Sequence, residues 1–254
     1  MNRIVVIDAF PESVLRYRKG WGVVAVEVIR ATTTAVTAAL SGRRCFPVAS
    51  THAAFHLTHQ FNNPLLAGEL DGEMPGGFEM NDSPSEIAMR TDVSRPLILL
   101  SSSGTRLIVQ ASRSMATFLA CFRNYTATAR HLIKTGLRKV ALIGAGYRGE
   151  FREEDQLCCA WIAAALLQAG YLPKDSRTVE ILNRWSQAPV TEMLSSKSVE
   201  YLRRTRQLAD LDFILKRIDD VKVAVMIKNG EIVPAGSTWR STVAMKSRAA
   251  LLSR

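Results

Sequence analysis

Val23-Val24-Ala25-Val26-Glu27-Val28-Ile29-Arg30-Ala31-Thr32-Thr33-Thr34 is an apolar run of strand length that breaks into a hydroxyl-rich loop and then a helix-like stretch ending at Ser41-Gly42. The order recurs twice. Leu97 to Leu100 leads into Ser101-Ser102-Ser103-Gly104-Thr105, and Val140 to Ile143 leads into Gly144-Ala145-Gly146-Tyr147-Arg148-Gly149. Backbone N–H groups at a helix start are unpaired, and the helix dipole adds positive potential there. In open α/β sheets such loops collect at the carboxyl ends of the strands, where ligands bind. Three loops of this kind predict one anionic, phosphorylated ligand.

The alternation extends outward from these junctions. Strands are expected at Arg3 to Ile7, Cys45 to Ala49, Leu65 to Glu69, Thr117 to Cys121 and Lys139 to Ile143. Helices are expected at Thr51 to Phe61, from Pro84, at Arg106 to Ser112, at Asn124 to Lys134 closed by Gly136, and at Glu153 to Ala169 closed by Gly170. Asp82 or Ser83 can cap the helix that Pro84 begins, and Glu86 completes a capping box. Strands at Lys222 to Ile227 and Glu231 to Ala235 flank Asn229-Gly230, a strong hairpin turn. The fold class is therefore α/β, three layers α/β/α around a mostly parallel or mixed sheet, with room for two similar lobes. Residues 1–254 read as one domain, the stretch from about 175 onward being a second lobe or an embellishment of the same sheet.

Composition narrows the function classes. The 254 residues are 47% hydrophobic, enough for a sizeable core, and 22% charged, which is not a disordered composition. The net charge of +10 fits anionic partners. Nucleic acid is not indicated: the tightest basic cluster, Arg203-Arg204-Thr205-Arg206, has only Tyr201 nearby for stacking and reads as a solvated helix face. No apolar stretch is long enough to span a bilayer, and the N-terminal apolar run stops at Asp8. Cys45, Cys121, Cys158 and Cys159 lack CxxC spacing and are expected as reduced, buried thiols of a cytoplasmic protein.

Particular residues carry the chemistry. Arg30 offers a bidentate fork suited to phosphate or sulfonate beside Thr32, Thr33 and Thr34. Glu27, a carboxylate within an apolar strand, needs a cation or an ion pair with Arg30. Ser101, Ser102, Ser103, Gly104 and Thr105 repeat the hydroxyl-and-amide cradle, or simply cap a helix. Gly144 to Gly149 fits GxGxxG, but Glu150, Glu153, Glu154 and Asp155 crowd the place a dinucleotide's pyrophosphate would occupy. The same carboxylates, with Glu69 from the glycine-rich loop Gly68 to Gly77, suit a hard cation such as Mg²⁺. His52, His56 and His59 share a helical face without the glutamate of a zinc motif and read as structural or solvated.

Together the motifs resemble the 2-phosphosulfolactate phosphatase family. Glu27 to Thr34 is similar to its D-V-L-R-A-T-T-T stretch. Gly68-Glu69, Gly77-Phe78 and Asn81-Asp82-Ser83-Pro84 resemble G-E…G-F…N-S-P, and Ser101 to Thr105 resembles T-T-N-G-T. Asn124 lies where the family has an asparagine before a helix. Gly144 to Gly146, Gly149, Phe151, Glu154-Asp155 and Cys158 to Ala160 resemble A-G…G-x-F-x-x-E-D…C-A-G. Position 27 is Glu where the family has Asp, and position 103 is Ser where it has Asn.

The resemblance implies a Mg²⁺-dependent phosphatase acting on 2-phosphosulfolactate, a step of coenzyme M synthesis in some organisms. The expected metal ligands are Glu27, Glu69, Glu154 and Asp155. Arg30, Glu27 and Asp155 are the expected catalytic residues. Arg30, Thr32 to Thr34, Ser101 to Thr105, Asn124 and Gly146 are expected to bind a small phosphorylated acid, in a homodimer. The alternatives are a catalytically impaired anion-binding homologue and, through GxGxxG, a dinucleotide-binding oxidoreductase.

Overall fold

A computed structural model describes residues 2–236. Its strands are β1 (Arg3–Ala9), β2 (Gly22–Val26), β3 (Cys45–Val48), β4 (Leu65–Gly68), β5 (Leu97–Leu100), β6 (Ala116–Ala120), β7 (Lys139–Gly144), β8 (Tyr171–Pro173), β9 (Val225–Lys228) and β10 (Glu231–Pro234). The helices are α1 (Ala31–Leu40), α2 (Thr51–Thr58), α3 (Pro84–Met89), α4 (Gly104–Ala111), α5 (Tyr125–Thr135), α6 (Glu153–Gln168), α7 (Ser176–Trp185), α8 (Lys197–Arg204) and α9 (Leu208–Lys216).

All ten strands form one sheet in the order β4-β5-β3-β10-β9-β6-β2-β7-β1-β8. It is mixed. β4, β5 and β3 are mutually parallel, as are β6, β2, β7, β1 and β8. The β9–β10 hairpin joins the two blocks, antiparallel to β6 on one side and β3 on the other. The blocks consequently run in opposite senses. The Asn229-Gly230 turn places both residues at positive φ, as such a hairpin requires.

Alternating side chains of the larger block feed two cores. Val5, Ile7, Val24, Val26 and Leu142 pack with α5, α6 and α7 on one face. Val6, Val23, Ala25, Ala141 and Ile143 face the other way, against Val36 of α1 and Leu107 and Ile108 of α4. Helices α1 and α4 each touch strands of both blocks. The loops after β2 and β5 meet although their strands run oppositely, the Glu27 carboxylate accepting from Ser101 and Gly104.

Differences from the sequence expectations are local. Strand β2 stops at Val26, although the apolar strand reads in sequence from Val23 to Val28, because the Thr32 hydroxyl accepts the Glu27 N–H at 3.0 Å and Asp155 accepts the Val28 N–H at 2.8 Å. A 3₁₀ turn at Pro11–Tyr17, strand β8 and helix α7 were not expected. Strand β8 is three residues long and ends in Pro173, which a sheet edge tolerates. Asp175 caps α7 by accepting the Thr178 N–H at 2.9 Å. Among the described residues no helix is long and apolar enough to cross a membrane.

Candidate active site

The loops after β2, β4, β5 and β7 surround a cleft of about 340 Å³. Glu27, Glu69 and Asp82 line one part of it, and Arg30, Arg148, Arg152, Lys197 and Arg204 supply cations around them. Sharing one cleft brings together side chains from distant parts of the chain.

Glu27 is held by the helix starts that flank it. Its Oε1 accepts the Gly104 N–H at 3.1 Å, and its Oε2 accepts the Ala31 N–H at 3.2 Å and the Ser101 hydroxyl at 3.1 Å. A Cβ on Gly104 would lie 2.1 Å from Glu27 Oε2 and 2.9 Å from Ala31 Cβ, so a side chain there would displace the Glu27 carboxylate. Glu69 is gripped similarly, accepting the Ser102 N–H at 2.7 Å, the Ser102 hydroxyl at 2.9 Å and the Gly72 N–H at 2.7 Å. The serine loop therefore binds carboxylates of the protein itself.

Asp82, beside Arg30 in the cleft, was expected only as a helix cap. Ser83 is the cap, its hydroxyl accepting the Glu86 N–H at 3.2 Å. Asp82 is buried with Oδ1 lacking a hydrogen-bond partner. Burial pushes its carboxyl up to about 7; Arg30 and the Thr34 hydroxyl oppose the rise, while Glu69 and Asp210 add repulsion. Glu27 is pushed well above the usual carboxylate range, by burial first and then by Asp82, Asp155 and Glu69. The acids thus repel one another in a low-dielectric pocket.

Asp155 and Glu154 lie behind this wall and do not line the cleft. Asp155 accepts the Val28 N–H at 2.8 Å and the Ala145 N–H at 3.1 Å, tying the end of β2 to that of β7. Burial, then the neighbouring Glu154, raises its pKa. Glu154 is buried beside the Ser196 and Ser198 hydroxyls with neither oxygen in a hydrogen bond of normal geometry. The acids at the start of α6 occupy the ground a pyrophosphate would need, and the Ala145 N–H is already taken. GxGxxG here shapes a turn: Gly146, at φ +55°, lines the cleft in close approach to Phe10.

Arg30 is not paired with Glu27. Its guanidinium contacts Asp210 Oδ2 at 2.7 Å and Gln207 Oε1, both beyond α8 in sequence. Asp210 Oδ1 in turn accepts the Ser83 hydroxyl at 2.6 Å, the Ser85 hydroxyl at 2.6 Å and the Ser85 N–H at 3.1 Å. The threonines do not line the cleft. Thr32, Thr33 and Thr34 are buried, and their hydroxyls donate to backbone carbonyls of Ala120, Val28 and Arg30. Thr105 and Asn124 are buried as well, closing their own turns through Ser101 and through Cys121 and Leu119. Ser102 and Ser103 do line the cleft.

Residues 9–230 match the 2-phosphosulpholactate phosphatase family. The chain belongs to this family. A Deinococcus radiodurans protein described as a probable 2-phosphosulfolactate phosphatase is 28% identical over 216 residues, covering 84% of this chain and 90% of the relative. A Caldanaerobacter subterraneus protein of the same description is 26% identical over 216 residues, covering 82% and 88%. One from Pseudothermotoga lettingae is 35% identical over 144 residues, covering 56% and 61%.

Within this family member, the residues that the sequence analysis missed are Asp82 and the cleft face of α8. Asp82 carried a signal, since it sits inside the N-S-P-like segment, but capping was a sufficient reason for it. Arg204, read as part of a solvated basic face, is exposed and also lines the cleft. His52 and His56 are exposed, and among the described residues no three His, Cys, Asp or Glu side chains are gathered to hold a metal ion by themselves.

Proposed function

We propose that the cleft hydrolyses a small acidic phosphomonoester, 2-phosphosulfolactate, to sulfolactate and phosphate, with Mg²⁺ as cofactor. One observation carries this reading: Glu27, Glu69 and Asp82 line the same cleft as Arg30, Arg148, Arg152, Lys197 and Arg204. Family membership supports it.

Carboxylate oxygens are the donor type a hard divalent cation takes, and water and substrate oxygens are needed besides, because no three of the described acids are gathered to hold an ion by themselves. All the candidate donors are carboxylate oxygens, they repel one another, and Asp82 Oδ1 is buried with no partner. Glu27, Glu69 and Asp82 would hold the ion, with water and substrate oxygens completing its shell. When bound, the ion supplies charge neutralisation for the phosphoryl group and a water of lowered pKa. The chain's own residues do the rest. Asp155 holds the β2 and β7 ends together so that Glu27 stays in place. Gly104, Ala31 and Ser101 fix the orientation of the Glu27 carboxylate. Arg30 presents its charge to the phosphoryl group while anchored to Asp210. The four free, buried cysteines suit a reducing, cytoplasmic setting.

The test is phosphate release from 2-phosphosulfolactate and other phospho-2-hydroxy acids, with Mg²⁺ and with EDTA. Turnover is expected with Mg²⁺ and is lost on chelation. Glu27→Gln is expected to reduce kcat/KM by at least about 100-fold, as removal of a metal-site group does. Release that survives full chelation would overturn the metal role. Gly104→Ala should have a comparable effect without touching any charge, because its Cβ and Glu27 Oε2 cannot share the space. A Gly104→Ala protein with wild-type turnover would show that the position of the Glu27 carboxylate is unimportant.

A further inference from the structure

Cations around the cleft are almost all committed to carboxylates of the protein. Arg30 pairs with Asp210 at 2.7 Å, Arg148 with Asp71 at 3.2 Å, Lys197 with Glu150 at 2.7 Å and Arg152 with Glu150 at 3.5 Å. Arg204 is the exception among the described residues, an exposed guanidinium lining the cleft with no ion-pair or hydrogen-bond partner.

Its position is built rather than incidental. Helix α8 buries Val199 and Leu202 in the core on one side. Lys197, Ser198, Tyr201 and Arg204 recur at helical spacing on the other side, and all four line the cleft. The helix is pinned to the glycine-rich loop. The Tyr201 hydroxyl donates to Gly72 O at 2.6 Å and accepts from Gln207 Nε2 at 3.4 Å, and Gln207 itself receives Arg30. Gly72, at φ +87°, leaves no room for a side chain, since a Cβ would sit 2.9 Å from the Tyr201 ring. The glycine-rich loop, α8 and Arg30 are thus one connected frame, and Arg204 is its uncommitted charge.

We propose that Arg204 recognises an acidic group of the substrate other than the phosphoryl group, either the carboxylate or the sulfonate that 2-phosphosulfolactate carries beside it. The inference rests on the phosphatase reading above. A phosphoryl group directed to Arg30 leaves the rest of a phospho-2-hydroxy acid to be met by another part of the wall, and a free guanidinium is a bidentate match for a planar carboxylate or a sulfonate. The simpler role for an arginine there is to complement the C-terminal dipole of α8. Arg203 stands at the same end without lining the cleft. A dipole role alone would not change the ranking of substrates.

The test combines kinetics and binding on the full chain, using Arg204→Gln and Arg204→Lys. The ratio of kcat/KM for 2-phosphosulfolactate to that for ethyl phosphate, which has no second acid, should fall about tenfold or more in Arg204→Gln. The loss should appear in KM rather than kcat, and Arg204→Lys should restore part of it. In thermal shift, sulfolactate should stabilise wild type but not Arg204→Gln, while inorganic phosphate stabilises both. An unchanged substrate ratio, or sulfolactate binding equal in wild type and Arg204→Gln, overturns the proposal. Failure of sulfolactate to bind wild type overturns it too. Arg204-dependent sulfolactate binding without phosphate release would uphold the recognition role while removing the phosphatase reading beneath it.

Discussion

Arg30→Ala is expected to destabilise the protein by about 3–5 kcal/mol, the cost of stranding one member of a buried ion pair. Both side chains are 3% exposed, and they meet at 2.7 Å. Removing the guanidinium leaves Asp210 facing Asp82 in a pocket with no other cation in contact with it. For a chain of this size the loss corresponds to a fall in melting temperature of roughly 6–20 °C. The serine donors on Asp210 Oδ1 would remain and soften the effect. Arg30→Ala with Asp210→Asn should lose less than the sum of the two single changes, by about 1–3 kcal/mol, because the second change removes the charge the first one stranded. Urea denaturation of the four proteins measures this directly. A melting temperature for Arg30→Ala within about 2 °C of wild type, with activity gone, would make Arg30 a ligand-binding group with no structural share. The buried pair argues that it has both roles.

The same residue marks the limit of what could be read in the sequence. Arg30 was visible as chemistry from its neighbours: a strand end, a helix start, three threonines. Its partner was not visible, because Asp210 is 180 residues away and no local pattern links them. Features decided within a few residues were legible. Ser83 caps α3, Gly136 closes α5 in the left-handed conformation, and Asn229-Gly230 turns the last hairpin. The hairpin's place in the middle of the sheet was not legible, since a strand pair with a good turn can sit at an edge or bridge two blocks. Reversal of one block relative to the other follows from that placement.

The site shows the same division. Glu27, Glu69 and Arg30 were proposed from strand ends, and they line one cleft although β2 and β4 run in opposite senses. The threonine hydroxyls were expected to face a ligand, yet each has a nearer backbone carbonyl, and in a buried turn the local partner wins. Glu154 and Asp155 follow one another on a helix and cannot both point into one cleft; both lie behind it. Asp82 and Arg204 have ordinary local explanations, a helix cap and a solvated basic face, and only the tertiary structure turns them toward the cleft.

Asp82→Asn is expected to raise stability above pH 7 while lowering activity. An aspartate in an unfolded chain titrates near 3.9, about three units below the value near 7 that burial gives Asp82. Between these values the folded protein retains a proton that the unfolded chain has released. Stability therefore falls as pH rises through the window, and the full penalty is present above pH 7. Three units correspond to at most about 4 kcal/mol, part of which the loss of the Asp82 interactions with Arg30 and Thr34 will offset. The variant should melt several degrees higher than wild type at pH 8 in EDTA, with the difference shrinking toward pH 4. Millimolar Mg²⁺ should narrow the gap at pH 8 from the other side, by stabilising wild type more than the variant. Equal melting temperatures at pH 8 in EDTA, or a gap that grows as pH falls, would show that Asp82 is not held as an unfavourable buried charge. The carboxylate cluster would then lose its strongest sign of being built for a cation rather than for the fold.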